Sequence, residues 1–590
     1  MLNSGRTHVK TVSATSQKGA VGTSLVTLLA LAAIACSESG GKSGRTATGG
    51  SVSTGGETGT GGLTATGGTS GTGGRTGSGG AVATGGAAGG SGTGGRISTG
   101  GTPSAGGTTP TGGSDATGGT SSAGGTTPTG GATATGGAMQ DAGVDARTDS
   151  GSATGGKPAT GGVTRTGGTT AAGGTTGTGG SSAAACTLPD LSTIQDNLSV
   201  GGGGSQYKTS DHFVVFGSTS VDATLNLLEA AHQCFVEEWC WRSPGLSTLS
   251  TNKSYYRFNV YEMSLSGGAA GLTPYDQKTG LAYLQVVPDY ATEPGVTVHE
   301  FGHAMTDSEK NWMDQGRTGY WWETVANFVA DSFMTSPICA NARNKHGITT
   351  IHSMLEPDTN ISNSFWVIVM DQNYYQAWPF LTYMTNNPDS YAGLGKMTVL
   401  NLMRTYKLNS NETPLHTLER LATPVKVQTI VGRYWARMAY LDIDNSQAQQ
   451  AFLSARSGLN FKNLSSSGNQ TYTVIAARQP KYFGSNIIPL KVSGDGTVSV
   501  QVTNLGNGLT ESDFIATLSI HATSGGAVRY VDLPNGSGQT TIANGEEASL
   551  VVVNTPTTLY LYDPSSIPAN DPVNTGLNYT VQLTGATPAN

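Results

Sequence analysis

The distribution of aromatic residues divides this chain before any motif is considered. All 8 Trp, 21 Tyr and 13 Phe lie from Tyr207 onward, so the first 206 residues carry no aromatic ring. Glycine is skewed the other way, with 52 of the 87 between Ser37 and Ala185. A segment about one-third glycine, without large apolar side chains, cannot bury enough surface to offset the entropy lost on ordering. The composition therefore predicts a disordered arm over 37–185, followed by a folded body of roughly 400 residues. That length suits two or three domains.

Charge divides at the same place. The formal charge of the whole chain is −7. The first 36 residues contribute Arg6, Lys10 and Lys18, and the arm has seven basic against six acidic residues, which leaves −11 on the body. An acidic body with no basic run excludes nucleic acid as the expected partner.

The first 36 residues read as an export signal. Lys18 precedes an apolar run from Ala20 to Ala35 that ends in small residues and is short for a membrane span. Ala33-Ile34-Ala35-Cys36 resembles a bacterial lipobox, which implies cleavage before Cys36 and acylation of its thiol, although Ala33 stands where Leu is commonest. The alternative is ordinary cleavage near Ala35, with free secretion. Ser37 after the cysteine would favour the outer membrane or cell surface. The irregular Thr-Gly-Gly repeats of the arm exclude a collagen helix and suit a flexible tether. Four further cysteines, Cys186, Cys234, Cys240 and Cys339, suggest two disulfides in an exported chain, with three possible connectivities.

The body contains His299-Glu300-Phe301-Gly302-His303. On a helix, positions i and i+4 share a face, so both imidazoles can reach one metal ion, with Glu300 beside them as a general base for water. A third ligand is needed. In Trp321-Trp322-Glu323-Thr324-Val325-Ala326-Asn327-Phe328-Val329, the apolar positions recur at helical spacing, while Glu323 and Asn327 share another face.

With Glu323 lying 20 residues after His303, the chain resembles the gluzincin metallopeptidases of the thermolysin type. Closer likeness is to Svx-like avirulence proteins of plant-associated bacteria. It is carried by Trp239, Arg242-Ser243-Pro244, Tyr374-Tyr375-Gln376-Ala377-Trp378-Pro379-Phe380 and Tyr482 through Leu490. The resemblance implies a zinc endopeptidase in which His299, His303 and Glu323 hold Zn²⁺ and Glu300 is the base. It also implies supporting roles for Asp307 and for Asn327, which stands where the family often has Asp. The family's oxyanion donor falls among Tyr374, Tyr375 and Tyr383, with Tyr375 favoured. The family's substrate-pairing edge strand would be Leu281 to Val287, placing Ala282, Tyr283 and Leu284 against an extended polypeptide; an ordinary central strand is the alternative.

Around these motifs, strands are expected over Asp211 to Phe216 and Tyr255 to Met263, with a helix at 225–237 between them and helices dominating 308–459. Short β-branched runs separated by Gly, Asn and Pro predict a β-sandwich over 479–590. The expected organisation is α+β: a signal segment 1–36, an arm 37–185, a gluzincin-like zinc peptidase domain 186–478 and an all-β sandwich 479–590. The competing reading is a non-catalytic adhesin or polymer-binding lipoprotein with a degenerate peptidase fold.

Overall fold

A computed structural model describes residue 186 and residues 188–249, 254–313, 315–510 and 512–589. The expected signal segment with Cys36 and the Thr-Gly-Gly arm lie outside the described residues. What is described is α+β.

The first layer is a mixed five-stranded sheet in the order β1 (Tyr207–Thr209), β2 (Phe213–Phe216), β3 (Phe258–Glu262), β5 (Leu284–Val286) and β4 (Gly271–Leu272). β2 reads Phe-Val-Val-Phe and is buried on both faces, which suits a strand paired in parallel and covered by a crossover helix. That helix, α1 (Val221–His232), lies between β2 and β3 in sequence, and β2, β3 and β5 run parallel.

α2 (Pro294–Ser308) begins with Pro294 in its first turn, where a missing N–H costs nothing. It is buried almost all round. Phe301 packs its ring 5.6 Å from Phe213 and 6.0 Å from Phe258, against the sheet. Two residues away along a 3.6-residue helix, His299 and His303 are turned from that face. They meet α3 (Trp321–Thr335) instead. Gly302 lets the two helices close, because a β-carbon there would lie 3.0 Å from Ala326 Cα and 3.2 Å from Val329 Cβ. Short helices follow, including α4 (Trp378–Asn386) and α5 (Val427–Met438).

Two five-stranded antiparallel sheets make the sandwich. One has the order β6 (Leu464–Gly468), β7 (Thr471–Val474), β14 (Tyr579–Thr584), β9 (Thr497–Asn504) and β12 (Ser537–Thr541). The other runs β11 (Arg529–Asp532), β10 (Phe514–Ala522), β13 (Glu546–Asn554), β8 (Ser485–Val492) and β15 (Ala586–Pro588). The sandwich therefore starts at Leu464, ahead of the boundary expected at 479. The run Leu550-Val551-Val552-Val553 explains how it joins the rest. Leu550 and Val552 face the sandwich interior, whereas Val551 and Val553 belong to the core of the preceding helices and sheet. A strand buried on both faces needs no polar alternation. α5 lies on this outer face: Gly432 admits Ile515, and Ser519 Oγ donates to the Ala436 carbonyl at 2.7 Å. The sandwich is thus built into the same compact unit as the helices.

Of the three possible disulfide connectivities, the structure has Cys186–Cys240 and Cys234–Cys339. The second ties the segment after α1 to the turn after α3.

Candidate metal centre and active site

Helical spacing and the close α2–α3 contact bring three donors to one point. His299 Nε2 and His303 Nε2 are 3.2 Å apart, and each lies 3.3 Å from Glu323 Oε2. His299 and Glu323 are almost wholly buried. Glu323 Oε2 makes no aligned hydrogen bond to either ring despite those distances. In the metal-free site the two imidazole nitrogens share one hydrogen bond, while the buried Glu323 Oε2 is left without one, so the three donors converge on a point where a shared partner would satisfy all of them. Ligands about 2.0–2.1 Å from a tetrahedral ion stand about 3.3 Å from each other. The donor set fits a divalent metal ion on its spacing and on its orphaned oxygen.

Asn327 settles the tautomer of His299. Its Nδ2 donates to the Tyr375 carbonyl at 2.9 Å, which turns Oδ1 toward His299 Nδ1 at 2.7 Å. A carbonyl can only accept, so the amide orientation is fixed and Nδ1 must carry the proton. The lone pair is left on Nε2, facing the other donors. Without an ion, the site is held by charge. Burial would lower the His303 pKa, but the Glu323 carboxylate outweighs it, with Glu300 and Asp307 adding to the rise. Burial would likewise raise Glu323, and the two imidazoles pull it down instead.

Glu300, 1% exposed, is gripped from the end strand of the sheet. Thr273 Oγ1 stands 2.8 Å from Glu300 Oε2 and 2.8 Å from its main-chain oxygen. Oε1 is buried without a hydrogen-bond partner, which leaves it open to a proton. On β4, a β-carbon at Gly271 would sit 2.6 Å from Glu300 Cγ and 2.9 Å from Oε1. Only glycine allows that strand so near the carboxylate.

The expected edge strand is corrected by this arrangement. Leu281 to Val287 splits into Leu281–Ala282, paired with Tyr275–Asp276, and β5, which lies inside the sheet between β3 and β4. Ala282 and Leu284 are buried, and Tyr283 packs its ring edge-on to Tyr261. Gly271–Leu272 ends the sheet instead. Its surroundings, Gly267-Gly268-Ala269-Ala270-Gly271, have the composition of a loop, so no local signal marks it as a strand.

The tyrosines separate. The Tyr375 ring is 6.3 Å from that of His299, and its carbonyl holds Asn327. Tyr374 stacks on Tyr320 at 4.3 Å, and its carbonyl accepts from Thr324 Oγ1. Burial, then the Glu323 charge, raises the Tyr374 pKa. Tyr383 donates to Asp389 at 2.8 Å, within an ion pair to Arg437, and is structural. Sequence reasoning did not single out Thr273 or Gly271, since neither residue type announces a role without the fold.

Residues 204–590 match the model of the Family of unknown function (DUF6055), and the chain belongs to that family. The matched span takes in the site and the sandwich together. No curated protein matches the chain.

Proposed function

We propose that this protein is a zinc-dependent endopeptidase of the gluzincin kind, acting on extracellular polypeptides. The observation that carries the reading is the triangle of His299, His303 and Glu323 with Glu300 beside it. A His₂Glu set with an open position is a usual hydrolytic zinc site. When bound, zinc would supply a Lewis acid that acidifies water and polarises a carbonyl.

The remaining work falls to the chain. His299 and His303 offer Nε2 lone pairs, the first fixed in its tautomer by Asn327. Glu300 Oε1 accepts the proton of the attacking water and delivers it to the leaving amine. Thr273 keeps Oε2 occupied, so that Oε1 is the oxygen that turns over. The Gly271–Leu272 edge would pair main chain to main chain with an extended substrate, a mode that demands little of its side chains. Tyr375, beside His299, would donate to the oxyanion. A lipid anchor at Cys36 with the Thr-Gly-Gly segment as tether would place this hydrolase at the bacterial outer surface, consistent with two disulfides in the body. Asparagine at 327 would favour the non-catalytic adhesin reading if it left His299 unsupported; the bond from Asn327 to His299 supports the hydrolase reading instead.

The test is hydrolysis of an unfolded protein by the purified chain. Chelation should stop it and zinc restore it. Glu300→Gln should abolish hydrolysis at wild-type zinc content, and Glu323→Ala should lose zinc. Full activity in Glu300→Gln would sink the mechanism, and an unchanged zinc content in Glu323→Ala would sink the ligand set.

A further inference from the structure

We propose that the protein holds a second divalent metal ion, bound by His212, His232 and Glu237. These residues offer one donor atom each, all within 4.8 Å of one another. They come from the start of β2, the end of α1 and the turn after it, and none belongs to the HExxH helix.

Glu229 prepares the first ligand. Its Oε2 lies 2.7 Å from His212 Nδ1, and its Oε1 accepts the His212 main-chain N–H at 2.8 Å. With Nδ1–H committed to a carboxylate, the His212 lone pair is on Nε2. That carboxylate–histidine pairing is how metal-bound imidazoles are commonly oriented. The second ligand is an unsatisfied one. His232 is 2% exposed, and its Nδ1 is buried without a hydrogen bond, although Glu237 Oε1 stands 3.4 Å away. Its ring stacks on His212 at a centroid distance of 3.5 Å, and its Nε2 lies 3.4 Å from the Tyr255 hydroxyl, which can accept an N–H there and leave the lone pair on Nδ1.

Local backbone geometry supplies the third ligand. On an α-helix, residue 237 would be turned about 140° from residue 232. Here Gln233–Glu238 is a π-helical turn, whose i to i+5 spacing brings Glu237 back over His232. Such turns are rare and concentrate at functional sites. Glu237 is about one-third exposed, which gives an ion a way in. Two imidazoles and a carboxylate suit a first-row transition ion, with Zn²⁺ the natural probe. Bound there, it would draw the three donors in toward the spacing of the first site and pin α1 to the start of β2.

This inference does not rest on the peptidase reading, and one experiment separates them. The full chain, stripped with chelator, is loaded with Zn²⁺, and bound zinc is measured after gel filtration. Wild type should hold two ions per chain. Glu237→Gln, isosteric and near the surface, and His212→Asn should each hold one. His303→Ala should also hold one, and His303→Ala/Glu237→Gln none. If Glu237→Gln and His212→Asn retain the wild-type content, or if His303→Ala alone removes all zinc, the second site is overturned. Zinc that survives His303→Ala at wild-type level but is lost in Glu237→Gln supports the second site and refutes the first.

Discussion

Asn327 Oδ1 lies 2.7 Å from His299 Nδ1, and the other end of the same amide is tied to a carbonyl. That second tie calls for an amide at this position, since an amide can donate to the Tyr375 carbonyl while its oxygen accepts from His299. An aspartate here would set a carboxylate oxygen against the Tyr375 carbonyl, two acceptors with no proton between them. Asn327→Asp should therefore destabilise the fold by on the order of 1–3 kcal/mol, the cost of a buried unpaired acceptor. Asn327→Ala also removes the donor to the Tyr375 carbonyl, so it should cost stability of the same order, and it should weaken zinc about 10–100-fold, as loss of an outer hydrogen bond to a ligand does. Thermal melting and competition with a zinc dye measure the two effects. A fully active, fully stable Asn327→Asp protein would show that the Tyr375 tie is dispensable.

Thr273 should matter through its hydroxyl and not its methyl group. Thr273→Val retains the shape but leaves Glu300 Oε2 buried without a donor, while Thr273→Ser keeps the donor. If Glu300 is the proposed base, losing one aligned hydrogen bond to its carboxylate should lower kcat by about 10-fold or more, equivalent to roughly 1.5–3 kcal/mol. KM and zinc content should hardly change. Thr273→Ser should restore most of the rate. Equal loss in the Ser and Val variants would mean that Thr273 only fills space.

Residues whose chemistry is local were legible in the sequence. His299, Glu300 and His303 share a helix, and Glu323 and Asn327 share the next, so spacing alone placed them on common faces. Illegible were features created by tertiary contact. β4 is two residues long, and its glycine is required by Glu300, which is distant in sequence. β6 reads Leu-Ser-Ser-Ser-Gly with only Leu464 buried, so no alternation announced the start of the sandwich. His212, His232 and Glu237 meet only after β2 and α1 pack and the helix widens to a π turn. Conversely, the β-branched stretch of β13 did signal a sandwich strand, though not that its second face meets the helical core.

The two disulfides should differ in worth. Cys234 and Cys339 are fully buried and 105 residues apart, whereas Cys186 and Cys240 are 54 apart and partly exposed. Closing the longer loop removes more freedom from the unfolded chain, about 4–5 kcal/mol against a value some 0.6 kcal/mol smaller for a loop half as long. Replacing Cys234 and Cys339 by Ala should also loosen the end of α3, the helix that carries Glu323. Denaturant unfolding of the two paired-alanine variants measures the order. A larger loss for the Cys186–Cys240 pair would place the more important constraint at the entry to the body.

Metal binding at the first site should release a proton. In the metal-free protein, burial opposes the charge on His303, but Glu323 outweighs it and the pKa is pushed up to about 9. His303 is therefore protonated at neutral pH, and an ion can take its nitrogen only by displacing that proton. Zinc affinity should rise about tenfold per pH unit toward pH 9 on this account, then level off. The same shifts affect the metal-free fold. The raised His303 pKa stabilises fully below its usual 6.5, and that contribution is lost as pH rises through about 9. The lowered Glu323 pKa stabilises above its usual 4.5 and is lost as pH falls through about 2. The pair thus supports the empty site best between about pH 4.5 and 6.5, and the protection given by zinc should grow as pH rises above that window. Calorimetric titration in two buffers of different ionisation enthalpy, carried out on Glu237→Gln so that one site reports, measures the proton directly. About one released proton at pH 7, falling toward none above pH 9, is expected; no release at pH 7 would mean that His303 is already neutral and that Glu323 does not control it.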